Sequence, residues 1–149
     1  MFRVRFLAAA FLAAAVSALS PASAAEPSAR LLLSEAEQAA YPAVSRLNRA
    51  GQGHCTATLI APDLALTAAH CLDPRGAATQ VAADRLHVLA GWRTGRFVAH
   101  YRGAAAAAVP GWTPEVLERD AGLIRIDPVS GDPAGVAPFP VAEPPAPGA

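Results

Sequence analysis

Residues 66–71 read Leu66-Thr67-Ala68-Ala69-His70-Cys71, which sets a histidine beside a cysteine directly after a short apolar run. An imidazole is the side chain best suited to proton transfer near neutral pH. A cysteine forms a disulfide in an oxidising compartment and a metal ligand or reactive thiol in a reducing one. The sequence on either side of this stretch therefore decides which fold and which chemistry to expect.

Composition points to one globular domain. The chain has 149 residues, of which 53% are apolar, and this is enough to build a single core. The formal net charge is zero, and without Arg3 and Arg5 ten basic residues face twelve acidic ones, a net charge of −2. The basic residues are scattered and form no block, so we expect no nucleic-acid partner.

The N-terminus has the three parts of a secretory signal. Arg3 and Arg5 precede an apolar run over residues 6–19, and Ala22-Ser23-Ala24 is a small-residue cleavage site. A membrane anchor is the alternative, but the uninterrupted part of that run has eleven residues, too few to span a hydrocarbon layer of about 30 Å. We therefore expect residues 1–24 to be a signal peptide, and the mature protein to be exported, periplasmic or extracellular, with no membrane association.

Export changes how the two cysteines are interpreted. In an oxidising compartment Cys55 and Cys71 are expected to pair, and closing the fifteen residues between them would contribute about 3 kcal/mol to stability. A zinc site is the competing interpretation, because His54-Cys55 and His70-Cys71 offer four ligands of the right type. His54 and Cys55 are adjacent in a predicted strand, so their side chains point to opposite faces. We predict no metal and no cofactor.

Short β-like runs alternate with turn signals and predict an all-β antiparallel barrel or sandwich. The runs are residues 43–47, 55–60, 64–67, 86–90, 95–101 and 122–126. The alanines over residues 104–108 are too few to hold a helix alone and are left as strand or loop. From Pro128 onward seven of 22 residues are proline, which predicts an extended linker without a core of its own.

Residues 54–71, HCTATLIAPDLALTAAHC, resemble the first-barrel signature of the trypsin/chymotrypsin family of serine endopeptidases. The resemblance implies that residues 41–127 form an antiparallel six-stranded barrel, the first barrel of the chymotrypsin-like double-barrel fold. It makes His70 the general base. It also implies the Cys55–Cys71 disulfide and, for the complete enzyme, a polypeptide substrate.

A second motif follows fifty residues after the histidine. Residues 119–126, RDAGLIRI, resemble the family segment that carries the triad acid, which would be Asp120. In that family the imidazole takes the proton of a serine hydroxyl, and the carboxylate orients the ring and stabilises its charged form. The remaining histidines, His54, His87 and His100, have no motif around them and are not expected to be catalytic.

The family nucleophile lies in a Gly-Asp-Ser-Gly-Gly segment of the second barrel, and these 149 residues contain no such segment. The serines after the predicted cleavage site have no glycine-rich context; they are Ser28, Ser34, Ser45 and Ser130. We therefore expect no nucleophile in this chain, a lead segment over residues 25–40, and an interdomain-type linker over residues 128–149 that ends before a second barrel. No Ile-Val-Gly-Gly sequence precedes Tyr41, so the family's usual activation by a new N-terminus has no counterpart.

Three interpretations remain open. The preferred one is the N-terminal portion of a secreted trypsin-like serine endopeptidase, inactive alone because the nucleophile and the oxyanion hole are missing. The second is a non-catalytic binding or inhibitory half-barrel that uses its exposed face to hold a partner. In the third, the chain completes its active site in trans with another polypeptide.

Overall fold

The computed structural model describes residues 33–73 and 80–143. The predicted signal peptide, residues 25–32 and residues 144–149 lie outside the described residues. The regular elements in chain order are α1 (Glu35–Gln38), β1 (Val44–Arg49), β2 (His54–Ala61), β3 (Leu64–Thr67), α2 (Ala69–Leu72), a 3₁₀ turn (Ala83–Arg85), β4 (Leu86–Ala90), β5 (Ala99–Ala108), a 3₁₀ turn (Leu117–Arg119), β6 (Gly122–Gly131) and a 3₁₀ turn (Pro133–Gly135).

The six strands form a closed antiparallel barrel in the order β1-β2-β3-β6-β5-β4, with β4 pairing back onto β1. Two three-stranded units, β1 to β3 and β4 to β6, are thus joined edge to edge along both sides. The predicted fold class, one barrel of the chymotrypsin-like fold, is confirmed. Closure pairs both edges of each unit, so the barrel leaves no long open strand edge.

Along β2, β3 and the first half of β6, more buried and less buried side chains alternate, as the period of a half-buried strand requires. The largest fully buried side chains fill the interior of the barrel; they are Leu47, Leu59, Leu72, Leu86, Val88, Tyr101, Ile124 and Ile126. Leu72 belongs to α2, so the turn that follows β3 contributes to the core.

β5 and β6 extend furthest past the ends that the sequence predicts. The alanines of residues 104–108 belong to β5, because Ala105–Ala108 pair with Gly122–Arg125 of β6 and this pairing outweighs alanine's helical preference. β6 continues past the expected boundary at Asp127, through Pro128, to Gly131. On the side of β6 that faces β3, the pairing ends at Arg125. Pro128 lies beyond that point, so its lack of a backbone N–H costs no hydrogen bond to β3.

The segment after β6 also contacts the barrel. Val136 is buried, and the Phe139 backbone N–H donates to the carbonyl oxygen of Leu59 at 2.9 Å. The stretch expected to be a linker therefore begins with residues that pack on the core. None of the helices within the described ranges has the length and apolar character needed to span a bilayer.

Candidate active site

Strand register brings two distant motifs to one end of the barrel. Where β3 pairs with β6, Thr67, the last residue of β3, lies opposite Gly122, the first residue of β6. His70 follows Thr67 by three residues and Asp120 precedes Gly122 by two. The pairing of β3 with β6 therefore places both predicted site residues beyond the same end of the same strand pair.

The helical turn α2 directs the His70 side chain outward. Ala69, Cys71 and Leu72 are buried, whereas the His70 side chain is 56% exposed. Ahead of the turn, the Thr67 hydroxyl donates to the carbonyl oxygen of Thr56 at 2.7 Å, which fixes the end of β3 to β2. Burial of three of its four residues thus anchors the turn and leaves the imidazole accessible.

Asp120 is held by the loop between β5 and β6. The backbone N–H of Val109 donates to the carbonyl oxygen of Ala121 at 2.8 Å, and Arg119 Nη1 donates to the carbonyl oxygen of Pro110 at 2.7 Å. Gly111 has a φ of +77°, and a Cβ there would meet Arg119 Nη1 at 2.8 Å, so glycine lets the guanidinium cross the turn.

The two side chains meet through both carboxylate oxygens of Asp120. Oδ1 accepts the backbone N–H of His70 at 2.9 Å, and Oδ2 lies 2.7 Å from His70 Nδ1. Only 22% of the Asp120 side chain is exposed. With an ionised carboxylate against Nδ1, the hydrogen-bond network assigns the ring proton to Nδ1 and leaves Nε2 with its lone pair.

The contacts of Asp120 favour its ionised form. Removal from water by itself raises the pKa of the Asp120 carboxyl. Hydrogen bonds from the backbone and ring of His70, the charge of His70 and a backbone hydrogen bond from Ala69 outweigh it and hold this pKa below the ordinary value. The carboxylate is therefore charged at neutral pH, as the orientation of a neutral imidazole requires.

The disulfide lies beside the histidine. Cys55 of β2 and Cys71 of α2 are bonded, as predicted, with their Cα atoms 6.2 Å apart. A sulfur of each cysteine and a ring nitrogen of His70 all lie within 4.8 Å of one another. The disulfide ties α2 to β2. While it is intact, neither sulfur is a thiolate that could bind a metal ion.

Gly122 lies within the RDAGLIRI motif two residues after Asp120, and its lack of a side chain helps to position the site. A Cβ at Gly122 would lie 2.6 Å from Leu72 Cδ1 and 3.2 Å from the carbonyl oxygen of Ala107. Leu72 is fully buried and cannot swing into solvent. The absent side chain thus allows α2 to pack against the start of β6, which keeps His70 close to Asp120.

The serines within the described residues serve other purposes. Ser34 caps α1, and the buried Ser45 hydroxyl donates to the carbonyl oxygen of Ala43. Ser130 lies opposite His100, eight residues along β6 from Gly122 and about 26 Å from it at the usual rise of a strand. Ser130 is therefore at the other end of the barrel from the His70 and Asp120 pair.

A cavity of about 500 Å³ opens between α1 and the turn from β4 to β5, with Arg93, Arg96 and Phe97 among its lining residues. The cavity is lined partly by α1, which belongs to the expected lead segment. Gln38 Nε2 donates to the carbonyl oxygen of Trp92 at 2.7 Å, and Arg93 Nη1 donates to Gln38 Oε1 at 2.9 Å. Neither His70 nor Asp120 lines this cavity, which is separate from the candidate active site.

A six-stranded antiparallel barrel with a histidine and an aspartate joined at one end has the architecture of one barrel of a chymotrypsin-like serine peptidase. A family model described as Trypsin matches residues 33–148, and the chain belongs to the trypsin family. This family comprises serine-type peptidases that act on polypeptides, and its domains are usually secreted. A comparison with curated proteins gives no match for the chain.

Proposed function

We propose that these 149 residues carry the general base and the orienting acid of a secreted trypsin-family serine endopeptidase, and that its nucleophilic serine lies outside them. The observation that supports this most is the contact between His70 and Asp120, in which one carboxylate binds both the ring and the backbone of the histidine. This two-point contact orients the histidine while 56% of its side chain remains exposed.

In the proposed reaction, His70 Nε2 takes the proton of a serine hydroxyl as its oxygen attacks the scissile carbonyl carbon. Asp120 holds the Nδ1–H and stabilises the imidazolium that forms. The imidazolium then gives its proton to the leaving amine, and a second cycle with water in place of the amine releases the acyl group. Donors for the developing oxyanion and the pocket for the substrate side chain would come from the second barrel.

Two experiments test this proposal. The coding sequence beyond Ala149, read in all frames, is expected to contain a Gly-Asp-Ser-Gly-Gly segment, and its clear absence would leave the base and the acid without a nucleophile. The purified 149-residue chain is expected to remain unlabelled by a fluorophosphonate probe. Labelling of any of its serines would show that the nucleophile is within this chain and would refute the assignment.

A second candidate is a non-catalytic half-barrel that binds a partner. The supporting observation is a row of outward side chains that crosses five strands through successive register pairs, from Val44 through Thr58, Leu66 and Leu123 to Ala107. Val44, Leu66 and Leu123 are each more than 40% exposed. Neighbouring exposed apolar groups favour association. This candidate gains support if no serine-bearing segment is encoded downstream.

A further inference from the structure

We propose that Cys55, Cys71 and His70 form a binding site for Zn²⁺ or a similar divalent cation when their disulfide is reduced. Among the described residues these three place one ligand atom each within 4.8 Å of one another. Two thiolates and an imidazole are a donor set that Zn²⁺ prefers, and three protein ligands leave a fourth position for water. The disulfide keeps this site closed, and reduction opens it.

The required movement is small. In a tetrahedral zinc site the ligand atoms lie ~3.8 Å apart for two sulfurs and ~3.6 Å apart for sulfur and nitrogen. Breaking the bond frees the two sulfurs to separate, and their Cα atoms at 6.2 Å allow both side chains to reach one ion. A ring nitrogen of His70 lies within 4.8 Å of both sulfurs, which exceeds the sulfur-to-nitrogen separation of a zinc site by at most about 1.2 Å.

Asp120 supplies the outer contact that such a site needs. A metal-binding histidine commonly donates its other N–H to a carboxylate, which fixes the tautomer and raises the basicity of the ligating nitrogen. Here Asp120 Oδ2 already lies 2.7 Å from Nδ1, which leaves Nε2 as the nitrogen with a lone pair to offer the ion. The hydrogen bond that would prepare His70 as a base also prepares it as a ligand.

The electron and proton balance is simple. A dithiol reductant gives two electrons and two protons to the Cys55–Cys71 bond and becomes a disulfide itself. The two protein thiols then release their protons as the thiolates bind Zn²⁺. With Nε2 on the ion, His70 has no lone pair for a serine proton, so the loaded barrel would be switched off. This consequence rests on the proposed function, whereas metal binding does not.

The chain offers a matched control, because each cysteine follows a histidine: His54 precedes Cys55 and His70 precedes Cys71. In an unfolded reduced chain the two His-Cys pairs are equivalent. In the folded barrel only His70 lies with the sulfurs, since His54 is adjacent to Cys55 in β2 and points to the other face. Comparing His70→Gln with His54→Gln therefore separates a folded site from metal capture by loose thiols.

In the test, a water-soluble phosphine reduces the disulfide of the full 149-residue chain, and the phosphine becomes a phosphine oxide with the oxygen atom of water. The reduced chain is then desalted under an atmosphere free of O₂. Titration of the reduced chain with Co²⁺ is expected to give a thiolate-to-metal charge-transfer band that saturates at one ion per chain. The oxidised chain is expected to give no such band. In competition with a chromophoric chelator, His70→Gln should weaken Zn²⁺ binding at least about tenfold and His54→Gln less than about twofold. Equal weakening by both variants, or no band after reduction, would overturn the proposal.

Discussion

Thr67 and Gly122 face each other where β3 meets β6, and this one register pair brings His70 and Asp120 to the same end of the barrel. The two motifs are fifty residues apart in the chain, and the backbone N–H of His70 nevertheless donates to Asp120. A slip of one residue in this pairing would turn the side chains of β6 to the opposite face. The geometry of the candidate active site therefore depends on the packing that fixes this register.

Gly122→Ala should destabilise the barrel by about 1–3 kcal/mol, because its Cβ would overlap Leu72 Cδ1 and the core is closely packed. Urea unfolding of the variant measures this loss. In a Leu72→Ala background, where the overlapping carbon is gone, the same change should cost clearly less. Equal costs in the two backgrounds would show that Leu72 does not set the requirement for glycine.

Asp120→Asn should lower the free energy of unfolding by about 1–2 kcal/mol at neutral pH, because charge-assisted hydrogen bonds to His70 are weakened. The folded pKa of Asp120 lies below its unfolded value, so this stability is complete above about pH 4 and is lost as the pH falls through the folded pKa. Unfolding curves at a series of pH values should converge for the two proteins in acid. Asp127→Asn, at an exposed position of β6, is the control and should change stability by less than about 0.5 kcal/mol.

Reduction of the Cys55–Cys71 bond should lower stability by about 3 kcal/mol, because it frees a loop of fifteen residues in the unfolded chain. Thermal unfolding with and without a reductant measures the change in a metal-free buffer. The Cys55→Ala/Cys71→Ala variant should show the lower stability in both conditions. An unchanged melting temperature on reduction would show that the disulfide does not stabilise the barrel.

His100 and His87 give the barrel a second pH dependence. His87 Nδ1 lies 2.9 Å from His100 Nε2 across β4 and β5, and Arg102 of β5 pairs with His87. Burial lowers the pKa of His100, and the charge of His87 lowers it further. The stability from a neutral His100 is therefore complete above about pH 6.5 and falls as the pH drops through its lower folded value. His100→Asn should flatten this decline, and His54→Gln should keep it; an unchanged slope in His100→Asn would refute the assignment.

The fold class could be predicted, and the two candidate site residues could be proposed, because both inferences rest on local patterns. β3 and β4 match their predicted bounds, since turn signals and apolar runs define them within a few residues. The TAAHC stretch and the Asp120 motif carry the resemblance to the family without any knowledge of contacts.

The remaining features depend on contacts between distant residues. The alanine-rich half of β5 is a strand only because β6 pairs with it, and Pro128 lies in β6 only because its other edge is unpaired there. Gly122 matters because of Leu72, fifty residues earlier. Composition marked residues after Pro128 as a linker, whereas Val136 packs on the core because the chain turns back there.

The central claim is that Asp120 and His70 form the acid and base of a serine peptidase. Its most direct test is the rate of peptide hydrolysis by the proposed complete enzyme, in which this barrel would be joined to a serine-bearing one. Asp120→Asn should lower kcat by about 10⁴-fold, the size of effect known for the same change in this family, and the exposed Asp127→Asn control should leave kcat within about twofold. An Asp120→Asn enzyme as fast as the Asp127→Asn control would contradict the account.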